Sequence, residues 1–255
     1  MRSLKFDLWK GDCLERMKEI PDGSVDCVIT DPPFQVTQCK WDKIIPFEPM
    51  WAELKRIIKP NGAILLFGVE PYSSALRMSN LKMFKYDLIW DKKSKTGFLN
   101  ANKMPLRQHE NIHLFYNKQP TYNPQMRKGK KRTKGGKQYT KSPLYGDYNE
   151  LSKIEYDLYH PTTIKTFSNA HQKGKLHPTQ KPVALLEYLI KTYTHEGETV
   201  LDFTAGSFST AIACLNTDRN FIGIELDDNY FDIGVNRIKG HIENNGMNVE
   251  LEIKE

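Results

Sequence analysis

The chain has 255 residues, with 37 Lys and Arg against 31 Asp and Glu and a formal net charge of +6 at pH 7. Its 39% apolar and 27% charged content excludes disorder as the default, and the length suits one large α/β domain with an insertion or two modest domains. No run approaches the roughly 18 to 20 apolar residues of a spanning helix, the opening MRSLKFDLWKGD lacks a signal-peptide pattern, and the scattered Cys13, Cys27, Cys39 and Cys214 form no zinc or disulfide spacing; a cytoplasmic protein with reduced thiols is expected.

In chain order, a first strand ends at Gly11-Asp12 and is followed by a helical stretch, CLERMKEI, closed by the turn Pro21-Asp22-Gly23. The β-branched run VDCVIT predicts a buried strand that leads straight into Asp31-Pro32-Pro33-Phe34. An amphipathic helix is predicted from about 46 to 58, with Met50, Trp51, Leu54, Ile57 and Ile58 at helical spacing and Pro60-Asn61-Gly62 as its stop. A strand over AILLFG, a helix over roughly 71–80 and a strand near YDLIW continue an alternation that argues for a parallel sheet covered by helices on both faces.

From about 92 to 176 the alternation stops, and only NIHLFY (111–116) reads as a strand; the segment is expected to be an insertion outside the core. The alternation resumes with a helix over 183–193, a strand TVLDF, a helix from about Ser209, a strand FIGIEL and a helix from Asp228 to about Glu243. VELEIK then alternates like an edge strand. The catalytic domain is therefore expected over 1–91 and 177–255.

Three segments carry chemistry. Asp31 offers a carboxylate and Pro32 a carbonyl whose direction is stiffened by the fixed φ of successive prolines, two acceptors that together suit the two hydrogens of an exocyclic amine. Phe34 adds a flat apolar face on which a base can stack. An Asp-Pro-Pro turn is equally compatible with simple punctuation, and its place at a strand's carboxyl end is what favours a ligand.

In TVLDFTAGSFSTAIA, Asp202 ends a strand, the small-residue turn Thr204-Ala205-Gly206-Ser207 follows, and a helix begins. Such turns let backbone amides approach a ligand. Glu225 closes the next strand 19 residues after Gly206, a spacing at which a carboxylate grips ribose hydroxyls, so a nucleoside cofactor fits. The turn lacks the G-x-G-x-x-G and Gly-Lys-Ser patterns of pyrophosphate and triphosphate sites. His177-Pro178-Thr179-Gln180-Lys181-Pro182 opens a helix with Pro182 suited to its first turn, and by physics alone it is a cap.

Taken together, GDCLERMKEIPDGSVDCVITDPPF, RQHENIHLFY, HPTQKPVALLEYLI, VLDFTAGSFST and FIGIEL resemble the amino-methyltransferases of DNA, in the permuted group whose catalytic motif precedes the cofactor turn. The resemblance spans Lys10 to about Ile238. It implies a doubly wound, mostly parallel sheet of the seven-stranded, Rossmann-like methyltransferase type, interrupted by a target-recognition region at 92–176.

It further implies S-adenosyl-L-methionine as methyl donor, with S-adenosyl-L-homocysteine as product, and no metal. Asp31, Pro32, Pro33 and Phe34 would form the catalytic motif. Asp12 and Cys13 would border the cofactor's adenine, Gln180 and Lys181 its amino-acid end, Asp202, Thr204, Ala205, Gly206 and Ser207 its floor, and Glu225 its ribose. Double-stranded DNA is the implied partner, in a bacterial or phage setting, with a homodimer and a paired restriction enzyme left open.

Family members acting on cytosine N4 usually carry Ser at the position of Asp31, so adenine N6 is favoured over cytosine N4. The family's usual turn D-P-F-A-G-S-G-T-T is broken here by Phe203-Thr204 and by Phe208, which is expected to intrude on the cofactor pocket and keeps open a DNA-binding regulator without catalysis. Nothing resembles an RNA-binding module. Arg107 and His109 fall in a segment expected on the DNA entry side. Lys128, Lys130, Lys131, Arg132 and Lys134 belong to the run from Arg127 to Lys141, whose eight basic residues leave 29 basic against 31 acidic elsewhere; the run reads as a solvated loop or a pliable tract on a phosphate backbone.

Overall fold

The computed structural model describes residues 3–34, 43–134, 154–169 and 180–255. The strands are β1 (Leu4–Lys10), β2 (Val25–Thr30), β3 (Ile58–Gly68), β4 (Phe84–Thr96), β5 (Arg107–Phe115), β6 (Arg127–Lys134), β7 (Ile154–Tyr159), β8 (Ile164–Thr166), β9 (Thr199–Asp202), β10 (Asn220–Glu225) and β11 (Val249–Lys254). The α-helices are α1 (Cys13–Met17), α2 (Phe47–Ile57), α3 (Tyr72–Ser79), α4 (Val183–Tyr193), α5 (Ser209–Leu215) and α6 (Asp228–Asn245).

Nine strands form one sheet in the order β11-β1-β10-β9-β2-β3-β5-β4-β8. VELEIK forms the expected edge strand as β11, and the three-residue β8 at the other edge is an addition to the strands read from sequence. All neighbours run parallel except β5, which is antiparallel to both β3 and β4. Period-two alternation along the buried strands explains the layers: Cys27, Ile29, Ala63, Leu65 and Val200 face a core closed by α4, α5 and α6, whereas Val28, Ile64, Leu66 and Leu201 face a second core closed by α1, α2 and α3.

Two boundaries differ from the sequence expectation. The α2 helix stops at Ile57, and Pro60-Asn61-Gly62 lies inside β3, where the register against β2 jumps from Val25↔Ile58 to Cys27↔Ala63. A bulge absorbs the proline, which has no N–H for the ladder. Pro182 is the residue before α4 and not in its first turn; its carbonyl accepts from the Leu185 and Leu186 amides.

Much of the segment expected to be inserted belongs to the main sheet. Arg107–Phe115 hydrogen-bonds between β3 and β4, and Ile112, His113, Leu114 and Phe115 are fully buried. The chain divides into one unit of residues 1–123 and 163–255 and a smaller unit of 124–162, in which β6 pairs antiparallel with β7. The basic run is thus in part a strand rather than a pliable loop. RKGKKRTK shows no apolar alternation, so its strand character comes from pairing with IEYDLY, about 20 residues further on. Lys131 ion-pairs with Glu155, the Arg132 guanidinium lies 5.9 Å from the Tyr159 ring centroid, and residues 135–141 lie outside the described chain. No helix among the described residues is long and apolar enough to cross a membrane.

Candidate active site

Because β1, β10, β9 and β2 run parallel, their carboxyl ends meet at one edge of the sheet, where open α/β sheets bind ligands. Gly11–Cys13 after β1, Asp31–Phe34 after β2, Phe203–Ser207 after β9 and Glu225 at the end of β10 line one cavity of about 670 Å³, with Gln180 and Lys181 entering from the segment before α4. All the catalytic and cofactor residues named from sequence therefore meet in one place. Arg107 is also on its wall, whereas His109 is exposed and outside it.

Hydroxyls tie the two central loops together. The Asp202 carboxylate accepts from Thr30 Oγ1 (2.5 Å) and the Thr204 amide (3.3 Å) on one oxygen and from Thr210 Oγ1 (2.6 Å) on the other. Thr204 Oγ1 is shared between Thr30 Oγ1 (2.7 Å) and the Asp31 carbonyl (3.1 Å). The Phe203-Thr204 departure thus has a local purpose, since a proline and an apolar side chain offer no such hydroxyl. Two of these donors meet Asp202 Oδ1 and one meets Oδ2, so the carboxylate scaffolds the turn from the cavity wall.

Glu225 holds the other side of the turn, accepting the Gly206 amide (2.6 Å) and the Asp227 amide (2.8 Å), while burial raises its carboxyl. Gly206 sits at φ 53°, where glycine carries no Cβ penalty. Asp12 caps α1 by accepting from the Leu14 and Glu15 amides, and burial pushes the Cys13 thiol up to about 12, leaving it a neutral wall residue.

The feature that sequence reasoning missed is a chain of buried charges behind the Asp-Pro-Pro-Phe motif. One Asp31 oxygen pairs with the Lys181 ammonium, which also lies 3.4 Å from Glu110, and Glu110 is 3.1 Å from Lys92. Lys181 is enclosed by the rings of Phe67 (5.1 Å to centroid) and Trp90 (5.9 Å).

Burial pushes the Asp31 carboxyl up to about 6, with Lys181 pulling it down and Glu110 pushing it up. Burial alone would lower the Lys181 ammonium, but the two carboxylates raise it; burial would raise Glu110, but Lys181 and Lys92 lower it. The second Asp31 oxygen, Oδ1, is buried with no hydrogen-bond partner among the described residues. A buried acceptor in that condition is costly unless a donor arrives, so it marks where a donor is received.

Phe34 packs on Tyr72 with ring centroids 5.1 Å apart, which holds its ring at the cavity wall. Lys92, Trp90 and Glu110 were findable only through the β4–β5 ladder, in which Trp90 sits opposite Glu110.

The expected intrusion of Phe208 does not occur. Its backbone takes the left-handed conformation (φ 56°, ψ 39°), and its fully buried ring points into the core against Phe221 and Phe231, leaving the cavity wall to its neighbours Ser207 and Ser209. Room for the ring comes from Gly223 and Gly234, where an added Cβ would lie 2.6 and 2.0 Å from ring atoms of Phe208. The objection to a cofactor in this cavity falls away with the ring.

The sequence profile of the DNA methylase family matches residues 25–236. Type II methyltransferase M.BglII of Bacillus subtilis is 29% identical over 268 residues, covering 93% of this chain and 70% of that protein. DNA adenine methyltransferase YhdJ of Escherichia coli (strain K12) is 28% identical over 246 residues, covering 89% of this chain and 81% of that protein. Among solved structures, PvuII DNA methyltransferase (cytosine-N4-specific) superimposes with a TM-score of 0.69 at 17% identity, covering 99% of this chain and 95% of that one, a likeness of fold.

Proposed function

The chain belongs to the N6/N4 DNA methylase family, and from that premise we propose that this S-adenosylmethionine-dependent DNA methyltransferase acts on the N6 amine of an adenine swung out of duplex DNA. The observation that carries the adenine reading is the buried Asp31 Oδ1, without a hydrogen-bond partner among the described residues, an acceptor in the position where cytosine-N4 members usually carry Ser. Adenine's amine lone pair is delocalised into the ring. Two acceptors, Asp31 Oδ1 and the Pro32 carbonyl, taking the amine hydrogens draw that nitrogen toward tetrahedral geometry and aim its lone pair.

Phe34 stacks on the base, and Lys181 keeps Asp31 ionised at neutral pH. The cofactor supplies an electrophilic methyl on a sulfonium. Its fit rests on the cavity's size and on the Gly206 turn, which opens the backbone to close approach; Asp12, Cys13, Gln180, Thr204–Ser207 and Glu225 would hold it. Each Glu225 oxygen uses one lone pair on a backbone amide and keeps another for a ribose hydroxyl.

Nucleoside mass analysis of DNA treated with the enzyme tests the reading: N6-methyladenine is expected, and N4-methylcytosine as sole product would overturn it. Sequencing the same DNA with a method that reports methylated bases would give the recognition site.

We further infer that the β6–β7 hairpin contacts phosphates through Lys128, Lys130 and Arg132, all exposed. Replacing the three with Ala is expected to reduce the slope of log affinity against log salt by about 0.9 for each phosphate that is no longer neutralised. Cofactor affinity should hold, and a salt slope equal to that of the parent removes this assignment.

A further inference from the structure

The connection between β4 and β5 begins at the cavity itself. Thr96 and Arg107, which line the cavity, pair across the ladder, and Thr96 Oγ1 donates to the Arg107 carbonyl (3.2 Å). Between them ten residues leave the sheet, turned out by Gly97 at φ 91°. The connection holds its own shape. The Asn100 amide donates to the Gly97 carbonyl (2.9 Å), Ala101 to Phe98 (3.1 Å), and Lys103 and Met104 to Asn100 (2.8 and 3.1 Å).

What this turn presents to solvent is unusual. Leu99 is 100% exposed, Phe98 67% and Met104 56%. Single exposed apolar residues are ordinary, but three large ones within seven residues on an ordered turn are not, and folding gains nothing from them. The same stretch has no acidic residue from Lys92 to His109, while exposed Lys93, Lys95, Lys103 and Arg107 lie close in sequence to the apolar residues. A purely apolar partner would not call for that charge. The combination fits an anionic polymer with an apolar interior, which is a base stack between phosphate backbones.

The geometry points to this turn as a wedge: Phe98 or Leu99 enters the stack at the gap left when the target base moves into the adjoining cavity, with the lysines on the flanking phosphates. The inference rests on the DNA methyltransferase reading and adds to it the surface that holds the duplex open. A base outside the helix leaves unstacked neighbours, and an apolar side chain in the gap restores their contact while blocking return.

The test compares two duplexes carrying the recognition site, one fully paired and one with the target base mispaired and so already unstacked, using Phe98→Ala and Leu99→Ala in the full-length enzyme. Both side chains are largely solvated, so the variants are expected to fold, and S-adenosylmethionine affinity equal to the parent's verifies it. Expected is a loss of about tenfold in kcat/KM on the paired duplex for at least one variant and less than twofold on the mispaired one, with a matching fall in the fluorescence rise of 2-aminopurine placed at the target position. Equal losses on both duplexes, or none on the paired one, would overturn the wedge. A parent enzyme that methylates neither duplex overturns the methyltransferase reading, and the wedge with it.

Discussion

Lys181→Met is expected to shift the acidic limb of the pH profile upward by about two units, which lowers kcat/KM at pH 7 by about tenfold through the smaller ionised fraction of Asp31. The Asp31 carboxyl, pushed up to about 6 by burial, is held from rising further by the Lys181 ammonium. Methionine keeps the length and the contact with Phe67 and Trp90 but brings no charge, so Asp31 takes up a proton at neutral pH. A protonated Asp31 no longer offers an open carboxylate to the amine, and activity should return in part as pH is raised toward 9.

Glu110→Gln makes the opposite prediction from the same geometry. Glu110 pushes the Asp31 carboxyl up, so removing its charge moves the acidic limb down and raises relative activity near pH 6. Single-turnover rates between pH 5 and 9 with saturating cofactor check both variants. Because Lys181 also lines the cavity, cofactor affinity is measured alongside. An unmoved limb in Lys181→Met would sink the claim that this lysine sets the ionisation of Asp31.

The second large effect is on stability. Gly234→Ala places a Cβ 2.0 Å from Phe208 Cδ2, on a ring already packed against Phe221 and Phe231. Overpacking of that severity costs about 3 kcal/mol, which lowers the unfolding midpoint of a chain this size by roughly 6–12 °C. Phe208→Gly removes a buried ring at a cost of about 3–5 kcal/mol, offset by about 1 kcal/mol from relief of the left-handed backbone. In the double variant the two losses should not add: with the ring gone, the alanine methyl has space and restores some packing. Additive losses in thermal unfolding would show that Phe208 and Gly234 do not share that space.

The buried strands and the order of motifs along the chain were legible because periodicity is local. VDCVIT, AILLFG and FIGIEL declare themselves by β-branched and apolar runs, and each hands its carboxyl end to the residues that line the cavity. The region after Lys92 was misread where structure depends on distant pairing. NIHLFY alone looked like an isolated strand, yet with Arg107 to Glu110 it bridges β3 and β4 and carries the carboxylate facing Lys181. RKGKKRTK shows no alternation at all and becomes a strand only against IEYDLY.

Phe208 shows the same limit at a single residue. Its sequence context flagged a large side chain where the family has glycine, but the direction of the ring depends on space vacated by Gly223 and Gly234, on two other elements. Sequence alone determined which residues would gather at the carboxyl edge of the sheet, because strand polarity and motif position are properties of the chain. Only the tertiary structure decided the charge state of Asp31, because its desolvation and its charged neighbours Glu110 and Lys181 arrive from about 80 and 150 residues away, and the room in front of Gly206, because the space that takes the Phe208 ring is left by glycines on β10 and α6.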